Sequence, residues 1–308
     1  MDRNNLIGFT LIAVLLFAYF TFFAPQPEPP VQTTTVSSVL AADSKETVTT
    51  DTSITTVADS ISVAIDTVTL ENADLELRFS SLGGRIIYAG LKHYKKYGGA
   101  PLVLINGNSS DFKLNVPIDN RSVDLNQLAY SVSKDSLKST ISFSRDEGGT
   151  SITQTWSLPA SGYVLDYKLQ IDGAAIKNET IELEWVNRMP LVEKDIADSR
   201  TKTALNYHTL TDEQDGLSES SVDPESMSVP EGTDWVGMKQ KFFLSAVLNK
   251  KGFASGEIKT TVDPNDSSTV KTGIAQLKIA SAQLSSAEGL NMQFYIGPND
   301  YKSLDAVA

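Results

Sequence analysis

The sequence predicts a large, all-β antiparallel sandwich set behind one membrane-spanning helix and a polar tether. Three observations predict it. Leu6 to Phe23 is an 18-residue run without a charge. A stretch rich in Pro, Thr and Ser follows. From about Ile61 apolar and polar residues alternate at a period of two, the pattern of half-buried antiparallel strands. The chain has 308 residues. That leaves roughly 240 for the β-rich part, long for one sandwich but within the range of all-β domains.

Composition narrows the function classes. Lys plus Arg total 26 against 38 Asp plus Glu, a net charge of −12. Nucleic acid is therefore not expected as a partner, because binding it requires cations that neutralise phosphates, and the soluble part is not expected to lie on anionic lipid, which attracts basic segments. There is no cysteine. That excludes disulfides, zinc-thiolate sites, iron–sulfur clusters, a cysteine nucleophile and a lipidated N-terminal cysteine.

Residues 1–24 read as a transmembrane anchor with boundaries at Leu6 and Phe23. At 1.5 Å per residue the run reaches about 27 Å, close to the roughly 30 Å hydrocarbon core. A cleaved signal peptide would have a shorter run and small residues at its end. Here the run ends in Tyr19, Phe20, Phe22 and Phe23, and Pro25 follows Ala24. Arg3 and the terminal amine precede the run, and no Lys or Arg follows it until Lys45. Both features place the N-terminus in the cytoplasm and the bulk of the chain outside it. The longest later apolar cluster, Phe242 to Leu248, is too short to span.

Residues 25–60 read as a disordered linker. Pro25, Pro27, Pro29 and Pro30 stop the helix and favour extended backbone. Nine Thr and five Ser follow among few large apolar residues. Such a segment buries too little surface to offset its ordering entropy, and as a coil it spans about 33 Å.

Residues 61–298 carry the strands. Leu75, Leu77 and Phe79 alternate with Glu76 and Arg78; Leu165, Tyr167 and Leu169 with Asp166, Lys168 and Gln170. Ile181, Leu183 and Trp185 alternate with Glu182 and Glu184; Leu290, Met292, Phe294 and Ile296 with Asn291, Gln293 and Tyr295. Further strands are predicted at 65–70, 85–91, 140–144, 151–158, 241–248, 257–262 and 275–280. Gly83-Gly84, Gly148-Gly149 and Asp172-Gly173 are among the turn signals between them. Residues 299–308 begin a helix. Asn299 and Asp300 supply caps after Pro298, and Tyr301, Leu304 and Val307 share one face. A helix begun so close to the last residue suggests a truncated chain.

Candidate chemistry is sparse. His93 and His208 would form an acid–base pair only if one cleft held both with a carboxylate; ordinary strand or surface histidines are the expectation. Asp212 to Asp234 holds eight carboxylates and no Lys or Arg. Without EF-hand spacing, and with Pro224 and Pro230 inside it, this run reads as a solvated loop rather than a calcium site. Trp156 and Trp185 fall on apolar strand faces and are expected in the core. Trp235 is assigned neither to core nor to surface. Lys95-Lys96 could meet lipid headgroups or a partner. No motif for a cofactor, metal or catalytic residue is present.

Four stretches go further. The opening MDRNNLIGFTLIAVLLFAYF resembles the start of the YidC-type membrane protein insertases of double-membraned bacteria. Leu77 to Ile105, with its Gly-Gly-Arg turn, resembles the first strands of that family's large periplasmic domain. Thr233 to Leu248 resembles its Trp-Val strand, and Phe294 to Val307 its Gly-Pro-x-x-Tyr-x-x-Leu stretch. The resemblance implies a mutarotase-like β-supersandwich closed by a C-terminal helix. It implies a non-enzymatic role in inserting and folding inner-membrane proteins, alone or with the Sec translocon. The expected partners are nascent inner-membrane proteins, Sec components and, through the anchor, the bilayer. The family's five-helix membrane core has no counterpart in these 308 residues, so no functional residue of that core is carried over. The alternative is a tethered carbohydrate-binding or mutarotase-like protein, which needs His93 and His208 in one polar cleft.

Overall fold

The computed structural model describes residues 65–176 and 179–304. The anchor from Leu6 to Phe23 and the linker lie outside the described residues. Among the described residues, no helix is long and apolar enough to cross a membrane.

The chain first makes a four-stranded antiparallel sheet from β1 (Thr67–Glu71), β2 (Leu75–Ser80), β3 (Arg85–Lys95) and β4 (Pro101–Asn106). It then moves to a six-stranded sheet with β5 (Ser110–Ile118) and β6 (Arg121–Asp124). A nine-stranded sheet begins with the meander β7 (Ser131–Asp135), β8 (Thr140–Glu147), β9 (Thr150–Ser157) and β10 (Val164–Asp172). Thereafter the chain passes between these two sheets. β11 (Thr180–Pro190) joins the six-stranded sheet, and β12 (Ala204–Thr209) with β13 (Gln214–Gly216) the nine-stranded one. β14 (Glu225–Val229) returns to the first, and β15 (Thr233–Lys239) with β16 (Phe243–Phe253) to the second. β17 (Ser255–Thr261) and β18 (Thr269–Ala280) complete the six-stranded sheet. β19 (Leu290–Pro298) pairs with both β10 and β16 at the centre of the nine-stranded sheet. All strand pairings are antiparallel.

One apolar core serves all three sheets. Phe79 from the first, Trp185 and Leu277 from the second, and Trp156, Tyr167 and Phe294 from the third belong to it. The period-two pattern is the cause. Along β10, Leu165, Tyr167 and Leu169 are buried inward, while Asp166 faces out. Trp156 and Trp185 sit in this core as expected, with Phe294 between them at centroid distances of 5.1 and 6.2 Å.

Core side chains also hold the Gly-Gly turn between β2 and β3. Gly83 and Gly84 have φ of +82° and +61°, a region that disfavours side chains. A Cβ at Gly83 would lie 2.4 Å from the Asn126 Oδ1. The Gln154 amide donates to the Gly83 carbonyl at 3.1 Å, and the Trp156 indole to the Gly84 carbonyl at 2.8 Å. Tyr167 in turn donates to the Gln154 Oε1 at 2.9 Å. The buried network thus ties the first sheet to β9 and β10.

The acidic run from Asp212 to Asp234 corrects the sequence reading. It is not a plain loop, because it contains β13, β14 and the start of β15. Met227 and Val229 of β14 turn inward between exposed Ser226 and Ser228, a short edge strand with too few apolar residues to register as one. Between these strands, buried Lys271 donates to the carbonyls of Glu219 and Ser221 at 3.2 and 2.7 Å. Burial pushes the Lys271 ammonium below its ordinary pKa.

Candidate functional site

The outward face of the nine-stranded sheet collects the polar and aromatic residues that the core leaves over. Val236 and Met238 of β15 and Val247 of β16 point into the core. The alternate residues therefore emerge on the other face: Trp235 beside Leu248, and Ala246 beside Tyr295. Ala246, Leu248 and Tyr295 form a second small apolar cluster there, with Trp235, Tyr163 and Leu304 packed against it.

At one edge of this face His208 lies parallel to Trp235, with centroids 5.8 Å apart and planes 5° apart. Its Nδ1 is 2.8 Å from the Asp234 Oδ1, and its Nε2 is 3.2 Å from the Asp212 Oδ1. The Asp234 hydrogen bond, aided by Asp212, raises the imidazole pKa above its ordinary value. Each ring nitrogen thus faces a different carboxylate, an arrangement that favours the protonated ring, which can donate to both. Trp235, unassigned from sequence, belongs to this outer face.

Towards the other edge the same face holds an open hollow of about 410 Å³. Thr155, Asp166, Lys168, Lys250, Lys251 and Glu288 line it. Asp166 accepts from Gln293 at 2.8 Å, and Lys251 lies 3.7 Å from Glu288. Three lysines and two carboxylates thus offer hydrogen-bond donors and acceptors of both charges, suited to holding a polar or extended polypeptide segment. None of them carries a sequence motif. Thr155, Asp166 and Lys168 signal only as the polar half of period-two strands, which every solvated sheet face shares, whereas Lys250 and Lys251 are consecutive and Glu288 precedes β19.

The two histidines are not brought together. His93 lies on β3 in the four-stranded sheet, with Nε2 3.4 Å from the Asp74 Oδ1. His208 lies on β12 in the nine-stranded sheet and uses Asp234 and Asp212. The acid–base cleft of the carbohydrate-enzyme alternative is therefore not assembled from them. Among the described residues, no cluster of three or more His, Cys, Asp or Glu side chains could hold a metal ion. Lys95 ends β3 and Lys96 follows it, and both are exposed.

The geometry defines a class: a large antiparallel β-supersandwich with one shared core and a polar, aromatic-edged outer face. Comparisons with known proteins give the family. Residues 67–308 match the YidC periplasmic domain, and the chain belongs to that family. It is 29% identical over 327 residues to the membrane protein insertase YidC of Amoebophilus asiaticus, covering 100% of this chain and 54% of that protein. It is 30% identical over 336 residues to the membrane protein insertase YidC of Cytophaga hutchinsonii, again over 100% and 54%. The chain thus spans about half the length of these relatives. Among solved structures it is similar to a galactose mutarotase related enzyme from Lactobacillus acidophilus. There the TM-score is 0.46 at 11% identity, over 75% of this chain and 97% of that one.

Proposed function

We propose that this chain is the membrane anchor and periplasmic domain of a membrane protein insertase, working as a non-catalytic interaction domain. In this reading residues 1–24 anchor it in a bacterial inner membrane with the N-terminus cytoplasmic. Residues 25–60 tether the sandwich, residues 61–298, on the periplasmic side, and 299–308 lead onward. The observation that carries the reading is the match to the periplasmic-domain family over residues 67–308, together with relatives named insertases that align along the whole chain. The proposed partners are emerging inner-membrane proteins, which the outer-face hollow would engage through their polar periplasmic segments, and components of the Sec translocon.

The chain lacks cysteine, so single cysteines can be placed on a clean background. A photoactivatable crosslinker at Lys250→Cys and at other outer-face positions should capture a stalled single-span client during insertion. If a scan of that face yields no adduct above a client-free control, the interaction role fails.

A further inference from the structure

Most exposed apolar side chains of a folded domain are scattered, and a cluster signals contact. Among the described residues, the exposed large apolar side chains include only three aromatics: Tyr97, Phe242 and Tyr301, at 62, 51 and 85% exposure. All three stand at one end of the sandwich. Tyr97 follows β3, and its amide donates to the Val192 carbonyl at 2.7 Å. Phe242 occupies the tight turn between β15 and β16, and its carbonyl accepts from the Asn299 amide at 2.7 Å. Val192, Lys241 and Phe242 line one small hollow there, which joins the first two segments. Tyr301 opens the short helix Tyr301–Leu304, two residues after Asn299.

Lysines accompany these rings. The Lys194 Nζ sits 5.9 Å from the centroid of Tyr97, and the Lys241 Nζ 5.1 Å from that of Phe242. Lys95, Lys96 and Lys194 are exposed and make no ion pair among the described residues. The nearby carboxylates are largely engaged. Lys202 and Lys241 share Asp198, Asp195 caps the helix Ile196–Arg200, and Asp300 accepts from Ser303; Glu193 faces Lys241. In a chain of net charge −12, this end carries unpaired cations around exposed aromatic rings.

We infer that this end is a bilayer-contact surface, seating Tyr97, Phe242 and Tyr301 at the headgroup level of an anionic membrane with Lys95, Lys96 and Lys194 against lipid phosphates. Aromatic rings favour the membrane–water interface because one part is apolar and another is wet. Lysine stems can lie along acyl chains while their ammonium groups stay with the headgroups. The inference rests on the reading that the chain is membrane-tethered, which places this end within reach of lipid.

The test uses the full chain in nanodiscs containing phosphatidylglycerol and brominated lipid. A fluorophore is placed at Ala100→Cys, exposed just before β4 and close to Tyr97, or at Leu137→Cys in the exposed turn between β7 and β8. Lipid should quench the first label several-fold more than the second. Phe242→Ala and Lys194→Glu should remove the difference while the circular dichroism spectrum is unchanged. Loss of each lysine should lower the docked-to-undocked ratio about fivefold. Equal quenching at both sites, or a difference that survives these substitutions, overturns the inference. Disc incorporation is read separately by gel filtration and tests the anchor. If the chain does not incorporate, the same quenching is measured with vesicles of that composition.

Discussion

Trp156→Phe should weaken the domain through the turn it holds, not only through lost bulk. Trp156 is 2% exposed, and its ring lies 4.6, 5.1 and 5.4 Å from those of Tyr167, Phe294 and Phe79. Phenylalanine keeps one ring in that space but has no indole N–H. The Gly84 carbonyl, 2.8 Å from the Trp156 Nε1, then loses this buried donor, at a cost of about 1–3 kcal/mol. Some 40 Å³ of vacated volume at roughly 24 cal/mol per Å³ adds about 1 kcal/mol. The expected loss is therefore about 2–4 kcal/mol, or a midpoint lowered by roughly 5–15 °C for a domain of this size. Thermal and urea melts of the chain in mild detergent, followed by far-UV circular dichroism, measure it. Gln154→Leu removes the neighbouring anchor of the same turn. The double variant should therefore cost less than the sum of the two, by at least about 0.5 kcal/mol. A loss below 1 kcal/mol, or strict additivity, would refute the claim that these side chains jointly hold the turn.

Other outcomes follow from the same geometry. Asp234 raises the His208 pKa above its ordinary 6.5. The pairing should therefore stabilise fully below about pH 6.5 and be lost as pH rises through the higher folded value. His208→Gln should flatten that part of the stability–pH curve, and an unchanged slope would dissociate the pair from stability. Protease added to spheroplasts should degrade the β-rich part, whereas full protection with intact inner membranes would reverse the proposed topology. A polypeptide of residues 1–308 should not rescue cells depleted of their insertase. One apolar run offers no polar path at membrane depth, and normal insertion of a single-span client would contradict this.

How far the sequence could be read depended on amplitude. Strands crossing the core alternate strongly, and β2, β10, β11 and β19 stand out in the sequence because their inward residues are large. Edge strands do not. β6 is Arg-Ser-Val-Asp and β7 is Ser-Val-Ser-Lys-Asp, sequences as polar as a turn, and only pairing with β5 and β8 makes them strands. β13 and β14 were hidden in the acidic run for the same reason. The outer-face hollow was illegible on different grounds. Asp166 on β10 and Lys250 on β16 are far apart in sequence, and only the placing of β19 between those strands brings both to one hollow. Trp235 shows the limit most directly. Its neighbours in sequence fit either face, and the pairing of β15 with β12 decides that it stacks on His208.

The proposed bilayer contact at the exposed end would also orient the domain through charge. A polar tether, as proposed for residues 25–60, would impose no orientation of its own on the sandwich. An acidic body near an anionic leaflet is repelled within a Debye length, about 8 Å at physiological salt. Asp212 to Asp234, with eight carboxylates and no lysine or arginine, is the least favourable stretch to bring near lipid. The end with Lys95, Lys96 and Lys194 is repelled least and has apolar rings to insert. The uneven charge would therefore select one orientation from those that the linker permits. This selection also assigns the acidity a physical consequence: the more acidic the rest of the surface, the more strongly the field favours contact at the lysine-bearing end.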